Sequence, residues 1–148
     1  MKVLLDTNVY VQGCASADTQ ARFRASFFPL LPVTVLSAVV AYELRVNAFN
    51  ELTRRLVDEW VWPMERSGRV VAPTFSDWLE AASIVTRIYE RDRSWRSKLP
   101  SLLNDVLIVL CARRVGATVI TYNGQDFRLI RRHKDFSLRI LAAAVSGN

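Results

Sequence analysis

The sequence is poor in the residues on which many catalytic and metal-binding motifs depend. It has one histidine and two cysteines in 148 residues, and Cys14 and Cys111 belong to no CxxC or Cys/His pattern. This spacing favours neither a zinc site nor a disulfide framework. The stretch DTNVY that follows the first apolar run contains no glycine, which excludes a glycine-rich dinucleotide loop at that place. Lys2, Lys98 and Lys134 are the only lysines, and none is placed as a phosphoacceptor domain would require.

Long apolar segments are also missing. The longest unbroken apolar run, Val106–Ala112, is far too short to span a membrane. Lys2 and Asp6 are separated by only three apolar residues, too few for the core of a signal peptide. We therefore expect a cytoplasmic protein with no membrane partner. Apolar residues make up 51% of the sequence, which is typical of a single globular domain covering residues 1–148.

Positive charge is abundant and comes almost entirely from arginine. The formal net charge is +6 and the pI is about 9.9. Guanidinium groups are suited to bidentate phosphate contacts and to stacking on bases. Many basic proteins bind no nucleic acid, so the charge alone raises the expectation of such a ligand only modestly.

Short apolar runs alternate with helical patterns along the whole chain. The predicted strands are Lys2–Leu5, Val33–Leu36, Arg69–Ala72, Thr118–Thr121 and Ser137–Leu141. The longer helices are predicted at Thr19–Phe27, Val39–Asn47, Glu51–Trp62, Asp77–Arg91 and Leu102–Val115, with a shorter one at Phe127–Arg132. Pro63 is expected to end or kink its helix. We expect Asp92–Lys98 to be a mobile loop and Ala142–Asn148 to be frayed. This alternation predicts an α/β fold with a parallel sheet and helices on both faces.

Four acidic residues are predicted at one edge of that sheet. Asp6 ends the first strand, Glu43 lies in the first turns of the helix after the second strand, Asp105 lies near the start of a strongly apolar helix, and Asp126 follows the fourth strand. The carboxyl ends of parallel strands form the ligand-binding edge of such sheets. Asp77 meets the same test, but its place in the first turn of an amphipathic helix is explained by the helix dipole, and we leave it out.

Converging carboxylates repel one another, and a bound cation is the usual way to neutralise them. Oxygen ligands without histidine or thiolate favour Mg²⁺ or Mn²⁺. Such a site polarises a phosphodiester and lowers the pKa of a bound water, so an arginine-rich protein that carries it is expected to act on a nucleic acid backbone. For Asp105 alone, an interaction with the helix dipole is an equally good explanation. His133 follows two arginines and is expected at the surface, so no side chain stands out as a general base.

Four short motifs resemble those of a known family. They are LLDTNV at Leu4–Val9, VVAYEL at Val39–Leu44, NDVLIVLCA at Asn104–Ala112 and TYNGQDF at Thr121–Phe127. In this order and context they resemble the PIN-domain ribonucleases, and most closely the VapC-type toxins of bacterial toxin–antitoxin pairs. The sequence departs from the family at Tyr122, where a basic residue is frequent, and at Val106 and Val109, where alanines are frequent.

The resemblance implies a fold, an activity and partners. The fold is a PIN-like three-layer α/β/α domain with a parallel sheet of order 3-2-1-4-5. The activity is Mg²⁺- or Mn²⁺-dependent endonucleolytic cleavage of single-stranded or structured RNA. The partners are a cognate antitoxin protein and a second copy in a homodimer. The alternative is a non-catalytic PIN-like module that binds RNA or protein, although such a module has no need of all four acidic residues.

The resemblance also implies roles for individual residues. Asp6, Glu43 and Asp105 hold the metal directly or through water, and Asp126 is a more distant ligand or anchors a second ion. A supporting set that hydrogen-bonds to carboxylates or waters comprises Thr7, Asn8, Thr121 and Asn123. Turn and cap formation is the alternative role for this set.

Two basic clusters are candidates for the RNA path. The first consists of Arg93, Arg96 and Lys98 around Trp95, which either stacks on a base or packs under the connector. The second consists of Arg128, Arg131, Arg132 and Lys134, which either contact RNA, meet acidic residues of an antitoxin or form a solvated face. Phe49, Trp60 and Trp62 belong either to a dimer face, to an antitoxin groove or to the core.

Overall fold

A computed structural model describes residues 1–142 of the chain as five parallel strands and seven α-helices. The strands are β1 (Lys2–Leu5), β2 (Thr34–Ser37), β3 (Val70–Val71), β4 (Ala117–Thr121) and β5 (Leu138–Ile140). The helices are α1 (Thr7–Gly13), α2 (Ala17–Phe27), α3 (Ala38–Val46), α4 (Glu51–Arg66), α5 (Phe75–Arg91), α6 (Leu99–Val115) and α7 (Gly124–Arg131). Residues 143–148, in the tail that we expected to fray, lie outside the described range.

The sheet has the order β3-β2-β1-β4-β5, and every pair of neighbours is parallel. Strand β1 is central, with Val3 opposite Thr34 on one side and Leu5 opposite Ile120 on the other. Its apolar residues are almost completely buried. A parallel sheet requires crossover helices that cover its faces, and therefore its strands are continuous apolar runs. The predicted fold class and strand order are confirmed.

Helix α6 is the most buried helix of the described chain. The whole run Val106–Ala112 is buried against the sheet and the neighbouring helices. The helix ends at Gly116, whose φ of +69° is a left-handed conformation that favours glycine. It begins at Leu99, with Pro100 in its first turn, earlier than the predicted Leu102. Asp105 therefore lies in the second turn, where the dipole effect of a helix N-terminus has largely faded.

Two segments differ from the prediction. Helix α4 continues through Pro63 to Arg66. Glu59 and Pro63 are both exposed, so the carbonyl that loses its partner at the proline can be hydrated. The segment Asp92–Lys98 is not an irregular loop, because Arg93–Lys98 is a 3₁₀ helix whose first turn is capped by Asp92. Among the helices of residues 1–142, none has the length and apolar character that crossing a membrane requires.

Candidate metal centre

Asp6 is the carboxylate whose position is most firmly fixed. It follows β1 directly, and its backbone N–H donates to the Ile120 carbonyl at 2.9 Å. Its Oδ1 accepts a 2.8 Å hydrogen bond from the Thr7 N–H, and its Oδ2 accepts a 2.7 Å hydrogen bond from the Thr121 hydroxyl. Only 4% of the residue is exposed. Each carboxylate oxygen keeps a further lone pair with which it can bind a cation.

Thr121 joins three segments of the predicted site. Besides donating to Asp6, its completely buried hydroxyl accepts hydrogen bonds from Asn8 Nδ2 at 3.2 Å and from the Asn123 N–H at 2.9 Å. Asn8 Oδ1 in turn accepts from the Tyr122 N–H at 3.2 Å. The hydroxyl proton is therefore committed to Asp6, because both other contacts of the oxygen are with donors.

Two further carboxylates, those of Glu43 and Asp126, accept hydrogen bonds from other members of the supporting set. The Thr7 hydroxyl donates to Glu43 Oε1 at 2.9 Å, which links the start of α1 to α3. Asn123 Nδ2 donates to Asp126 Oδ2 at 2.9 Å, while Asn123 Oδ1 accepts from the Asp126 N–H at 3.3 Å. Asn123 is thus both the cap of α7 and a partner of its acidic side chain.

Asp105 is buried without a compensating partner. It is 8% exposed, and no side chain or backbone group of residues 1–142 donates a hydrogen bond to its carboxylate or pairs with it, so the small exposed part includes the carboxylate oxygens. Burial, together with repulsion from Asp6, Asp126 and Glu43, raises the pKa of Asp105 to about 8. Burial also raises the pKa of Asp6 to about 6, against the lowering effect of the Thr121 and Thr7 hydrogen bonds.

The four carboxylates therefore share one electrostatic environment without a cationic side chain to balance it. The ion pairs formed within the described residues involve other acidic groups. An oxygen-only donor set of net negative charge fits Mg²⁺ or Mn²⁺. However, no three acidic, histidine or cysteine side chains of the described part are arranged as a ready-made metal cluster. Mg²⁺ usually binds one or two carboxylates and keeps several waters, so its binding does not require such a cluster.

Asp77 has a structural role that accounts for its position. Its Oδ2 accepts from the Thr74 N–H at 2.8 Å and the Thr74 hydroxyl accepts from the Asp77 N–H at 3.2 Å, which forms a capping box. The same carboxylate pairs with Arg114 Nη2 at 3.1 Å. These contacts account for the position and the charge of the Asp77 carboxylate without a bound metal.

The predicted RNA-binding residues are divided between two places. Arg93 lies over the Tyr89 ring at 4.8 Å, and Lys98 Nζ lies 5.7 Å from the centre of the Trp95 ring. Arg96 is exposed on the same 3₁₀ helix. Trp95 is half-buried against the core and also lines a cleft together with Arg128.

That cleft contains residues which the sequence did not single out for RNA binding. Arg91, Gln125 and His133 line it and were not predicted to bind RNA, while Arg132, which also lines it, belongs to the second basic cluster. The pKa of His133 is lowered by burial and by nearby Arg91, Arg87 and Arg132, so its electrostatic neighbours are arginines and not the carboxylates. The sequence contained a signal for this cleft in α7 and the turn after it, because Arg128 and Arg132 are four residues apart and share a helical face.

The aromatic residues near α4 separate into two groups. Trp60 packs against Tyr10 and Phe23, with ring centres 5.4 Å from each. Phe49 and Trp62 are exposed by 81% and 53%. An apolar groove of about 450 Å³ runs along the first group and is also lined by Phe27, Phe28 and Leu31.

Comparison with known proteins gives a family and several structural relatives. The sequence profile of the PIN domain matches residues 3–132. No curated protein sequence matches the chain. Among solved structures, a FitAB complex bound to IR36 DNA superposes with a TM-score of 0.63 and 21% identity, over 96% of this chain and 99% of that one.

Two further solved structures have the same fold at low identity. VapBC2 from Rickettsia felis, bound to a DNA fragment from its promoter, gives a TM-score of 0.63 and 16% identity over 96% of this chain and 100% of that one. DNA-bound VapBC from Salmonella typhimurium gives a TM-score of 0.59 and 19% identity over 95% and 98%.

Proposed function

The chain belongs to the PIN domain family, and on this premise we propose that it is a divalent-metal-dependent endoribonuclease, the toxin of a toxin–antitoxin pair. The proposal takes residues 1–148 as a single PIN domain. The observation that carries it is Asp105, a buried carboxylate held near Asp6, Glu43 and Asp126 without any cationic partner in the described chain. Without a ligand such a group is held protonated at neutral pH by its raised pKa, and a bound cation would allow it to ionise.

We propose that Asp6, Glu43 and Asp105 hold the metal directly or through water, and that Asp126 is a more distant ligand or anchors a second ion. When bound, Mg²⁺ or Mn²⁺ polarises a phosphodiester and lowers the pKa of a coordinated water. The protein's own contribution is to fix the oxygens. Thr121 and Thr7 orient Asp6 and Glu43, and Asn123 orients Asp126. Such supporting contacts hold ligand geometry and tune affinity.

RNA is the proposed substrate because the chain combines this acidic edge with an arginine-rich surface. Basic residues outnumber acidic ones in the sequence, which has a formal net charge of +6, although four carboxylates lie at one edge of the sheet. A phosphodiester backbone satisfies both features, since its oxygens bind the metal and the guanidinium groups. A non-catalytic binding module would gain only the second interaction while still bearing the repulsion among the carboxylates.

The proposed partners are an antitoxin and a second copy of the chain. FitAB and VapBC are toxin–antitoxin complexes, and here the apolar groove beside Trp60 offers a surface for an amphipathic antitoxin segment. Phe75, Trp78 and Leu79 form an exposed apolar stripe on α5, which a homodimer would cover. RNA and antitoxin together imply a cytoplasmic site of action.

Cleavage of RNA in Mg²⁺ or Mn²⁺ tests the proposed activity. Asp6→Asn and Asp105→Asn should each abolish cleavage while the variants keep the wild-type circular dichroism spectrum. Asp58→Asn is the matched control, because it makes the same change in a surface pair with Arg45, outside the metal centre. Activity that survives both substitutions would exclude the metal assignment, and a wild type inert on all RNA would support the binding-module alternative.

A further inference from the structure

A cleft of about 580 Å³ lies along α7, the helix that carries Asp126, and we call it the basic cleft. It is formed by the end of α5, the 3₁₀ helix Arg93–Lys98, and α7 with the turn that follows. The lining residues that matter here are Arg91, Trp95, Gln125, Arg128, Arg132 and His133. Its volume is in the range of clefts that hold small organic ligands.

Positive charge exceeds negative charge in the described lining of the basic cleft, which has three arginines and one carboxylate. Arg91, Arg128 and Arg132 form no ion pair with any of residues 1–142. The one carboxylate among the described lining residues, Asp92, accepts a 3.0 Å hydrogen bond from the Ser94 N–H as a helix cap. The lowered pKa of His133 has the same origin, since burial and the surrounding arginines disfavour a further positive charge.

Two other basic residues of this region provide an internal contrast. Arg131 pairs with Asp135 at 3.9 Å, and Lys134 pairs with Glu80. They belong to the same stretch of sequence as Arg128 and Arg132 and carry the same charge. The fold therefore neutralises two of these cations and leaves the two that line the cleft available to an anion.

The other wall of the basic cleft is apolar and aromatic. Trp95 is half-buried, and Ile88 and Leu129 lie beside it along the cleft. A flat aromatic ring beside several guanidinium groups fits the two halves of a nucleotide, the base and the phosphate. A simple phosphate site would need the arginines but not the aromatic wall.

Helix α7 connects the basic cleft to the metal centre, because it carries Asp126 and also residues that line the cleft. Gln125 lines the cleft and is adjacent in sequence to Asp126. The Arg128 guanidinium folds back over the start of α7, so that Nη1 lies 3.1 Å from the position that a Cβ on Gly124 would occupy. An RNA strand that leaves the carboxylate edge along α7 therefore meets Arg128 first and the cleft next. This continuity favours RNA over an acidic protein segment as the occupant.

We propose that the basic cleft is a nucleotide subsite that binds one residue of the RNA strand outside the phosphodiester that is cut, with the base against Trp95 and the flanking phosphates at Arg91, Arg128 and Arg132. The inference rests on the proposed function, because it extends the path of the same substrate. Neutral His133 and Gln125 offer hydrogen bonds to the edge of the base or to the ribose. The subsite therefore acts on substrate affinity and on sequence preference, not on the chemical step.

Binding is measured by fluorescence anisotropy with labelled single-stranded oligoribonucleotides and the full-length Asp6→Asn protein, which should not cut them. The double variant Arg91→Ala/Arg132→Ala should bind at least about tenfold more weakly, and the slope of log affinity against log salt should fall by about 1.4 for two lost phosphate contacts. Arg131→Ala/Lys134→Ala removes the same charge from the paired positions and should bind within about twofold of the parent.

The aromatic wall is tested separately with Trp95→Leu, after thermal melting has shown that the variant is folded. It should weaken RNA binding about fivefold or more, since stacking on one aromatic ring contributes that much. It should not change the binding of inorganic polyphosphate, which has charge but no base. Equal losses for RNA and polyphosphate would show that Trp95 does not contact a base. The Arg91→Ala/Arg132→Ala variant would then test the phosphate contacts alone.

Cleavage kinetics distinguish failure of this inference from failure of the proposed function. In an otherwise wild-type protein, Arg91→Ala/Arg132→Ala should raise KM and leave kcat close to that of the parent. If the wild type cuts RNA and the double variant has the same KM and oligonucleotide affinity as Arg131→Ala/Lys134→Ala, the subsite is wrong and the nuclease stands. If the cleft variants lose RNA binding but the wild type never cuts, the subsite stands and the nuclease is wrong.

Discussion

The Thr121 hydroxyl donates a 2.7 Å hydrogen bond to Asp6 Oδ2 and thereby ties the end of β4 to the end of β1. The two residues are 115 positions apart in sequence, yet Leu5 and Ile120 are partners in the sheet immediately before them. The register of two parallel strands thus places a donor next to a carboxylate at the functional edge. The same hydroxyl accepts from Asn8 and Asn123, so its proton has one available direction.

Thr121→Val should therefore weaken metal binding while preserving the shape of the strand. Valine keeps the branched side chain but leaves Asp6 Oδ2 without its hydrogen-bond donor and removes the acceptor for Asn8 and Asn123. Loss of such a supporting contact typically costs about 10- to 100-fold in metal affinity or activity. The measurement is the Mn²⁺ or Mg²⁺ concentration that gives half-maximal cleavage.

Two substitutions control this prediction. Thr118→Val is the matched change on the same strand, where the hydroxyl bonds to Ser137 at 2.8 Å, and it should leave the metal requirement unchanged. Thr121→Ser retains the hydroxyl and should stay close to the wild type. A Thr121→Val protein with the metal requirement of Thr118→Val would show that the bond to Asp6 has no part in metal binding.

Asp105→Asn should stabilise the metal-free protein at neutral and alkaline pH. Burial and the neighbouring carboxylates raise the pKa of Asp105 to about 8, above its ordinary value of 3.8. A group with a raised folded-state pKa contributes stability that is fully present below its unfolded pKa and is lost as the pH rises through its folded pKa. In EDTA, the wild type should therefore lose stability between about pH 4 and pH 8 relative to the variant.

Thermal melting with and without metal checks this relationship. The Tm of Asp105→Asn should exceed that of the wild type at pH 8 in EDTA, and Mn²⁺ should raise the Tm of the wild type much more than that of the variant. The difference in EDTA should shrink towards pH 4, where the wild-type carboxyl is protonated. A lower Tm for the variant at pH 8 in EDTA would mean that Asp105 is compensated within the protein.

Local sequence patterns were sufficient for the fold class, and the resemblance supplied the strand order, while the acidic site remains a prediction. Apolar runs that alternate with helical stretches predicted the parallel sheet, and Asp6 was visible because an apolar run stops at a charge. Asp105 was predicted near a helix start, but the helix begins earlier, at Leu99. Pro100 is compatible with a first turn, so the apolar run that begins at Leu102 marked the buried part of the helix and not its beginning.

The contacts that connect these residues could not be predicted in the same way. The supporting residues were predicted only as partners for carboxylates or waters, because the exact pairing depends on strand register and helix rotation. The observed pairs are Thr7 with Glu43, Thr121 with Asn8, and Asn123 with Asp126. The basic cleft was also hidden, since Arg91 ends α5, Trp95 belongs to a 3₁₀ helix and Arg132 follows α7. Sequence separates these residues, and tertiary packing brings them to one cavity.

The apolar groove should be required for binding an antitoxin but not for cutting RNA. Phe28 and Leu31 line it, and they are 64% and 42% exposed, so a charge at either position is tolerated by the fold. Phe28→Asp and Leu31→Asp should each weaken binding of the proposed antitoxin by about tenfold or more, because a carboxylate in an apolar contact must be desolvated. Phe75→Asp places the same charge on the α5 stripe that we assign to the homodimer, since this 78% exposed residue is not among the groove residues, and it should leave antitoxin binding within about twofold of the wild type. Isothermal titration calorimetry measures the affinity, and cleavage of RNA without antitoxin should stay within about twofold of the wild type for both groove variants. Loss of binding in Phe75→Asp with retention in Phe28→Asp and Leu31→Asp would assign the antitoxin to α5 and leave the groove without this partner.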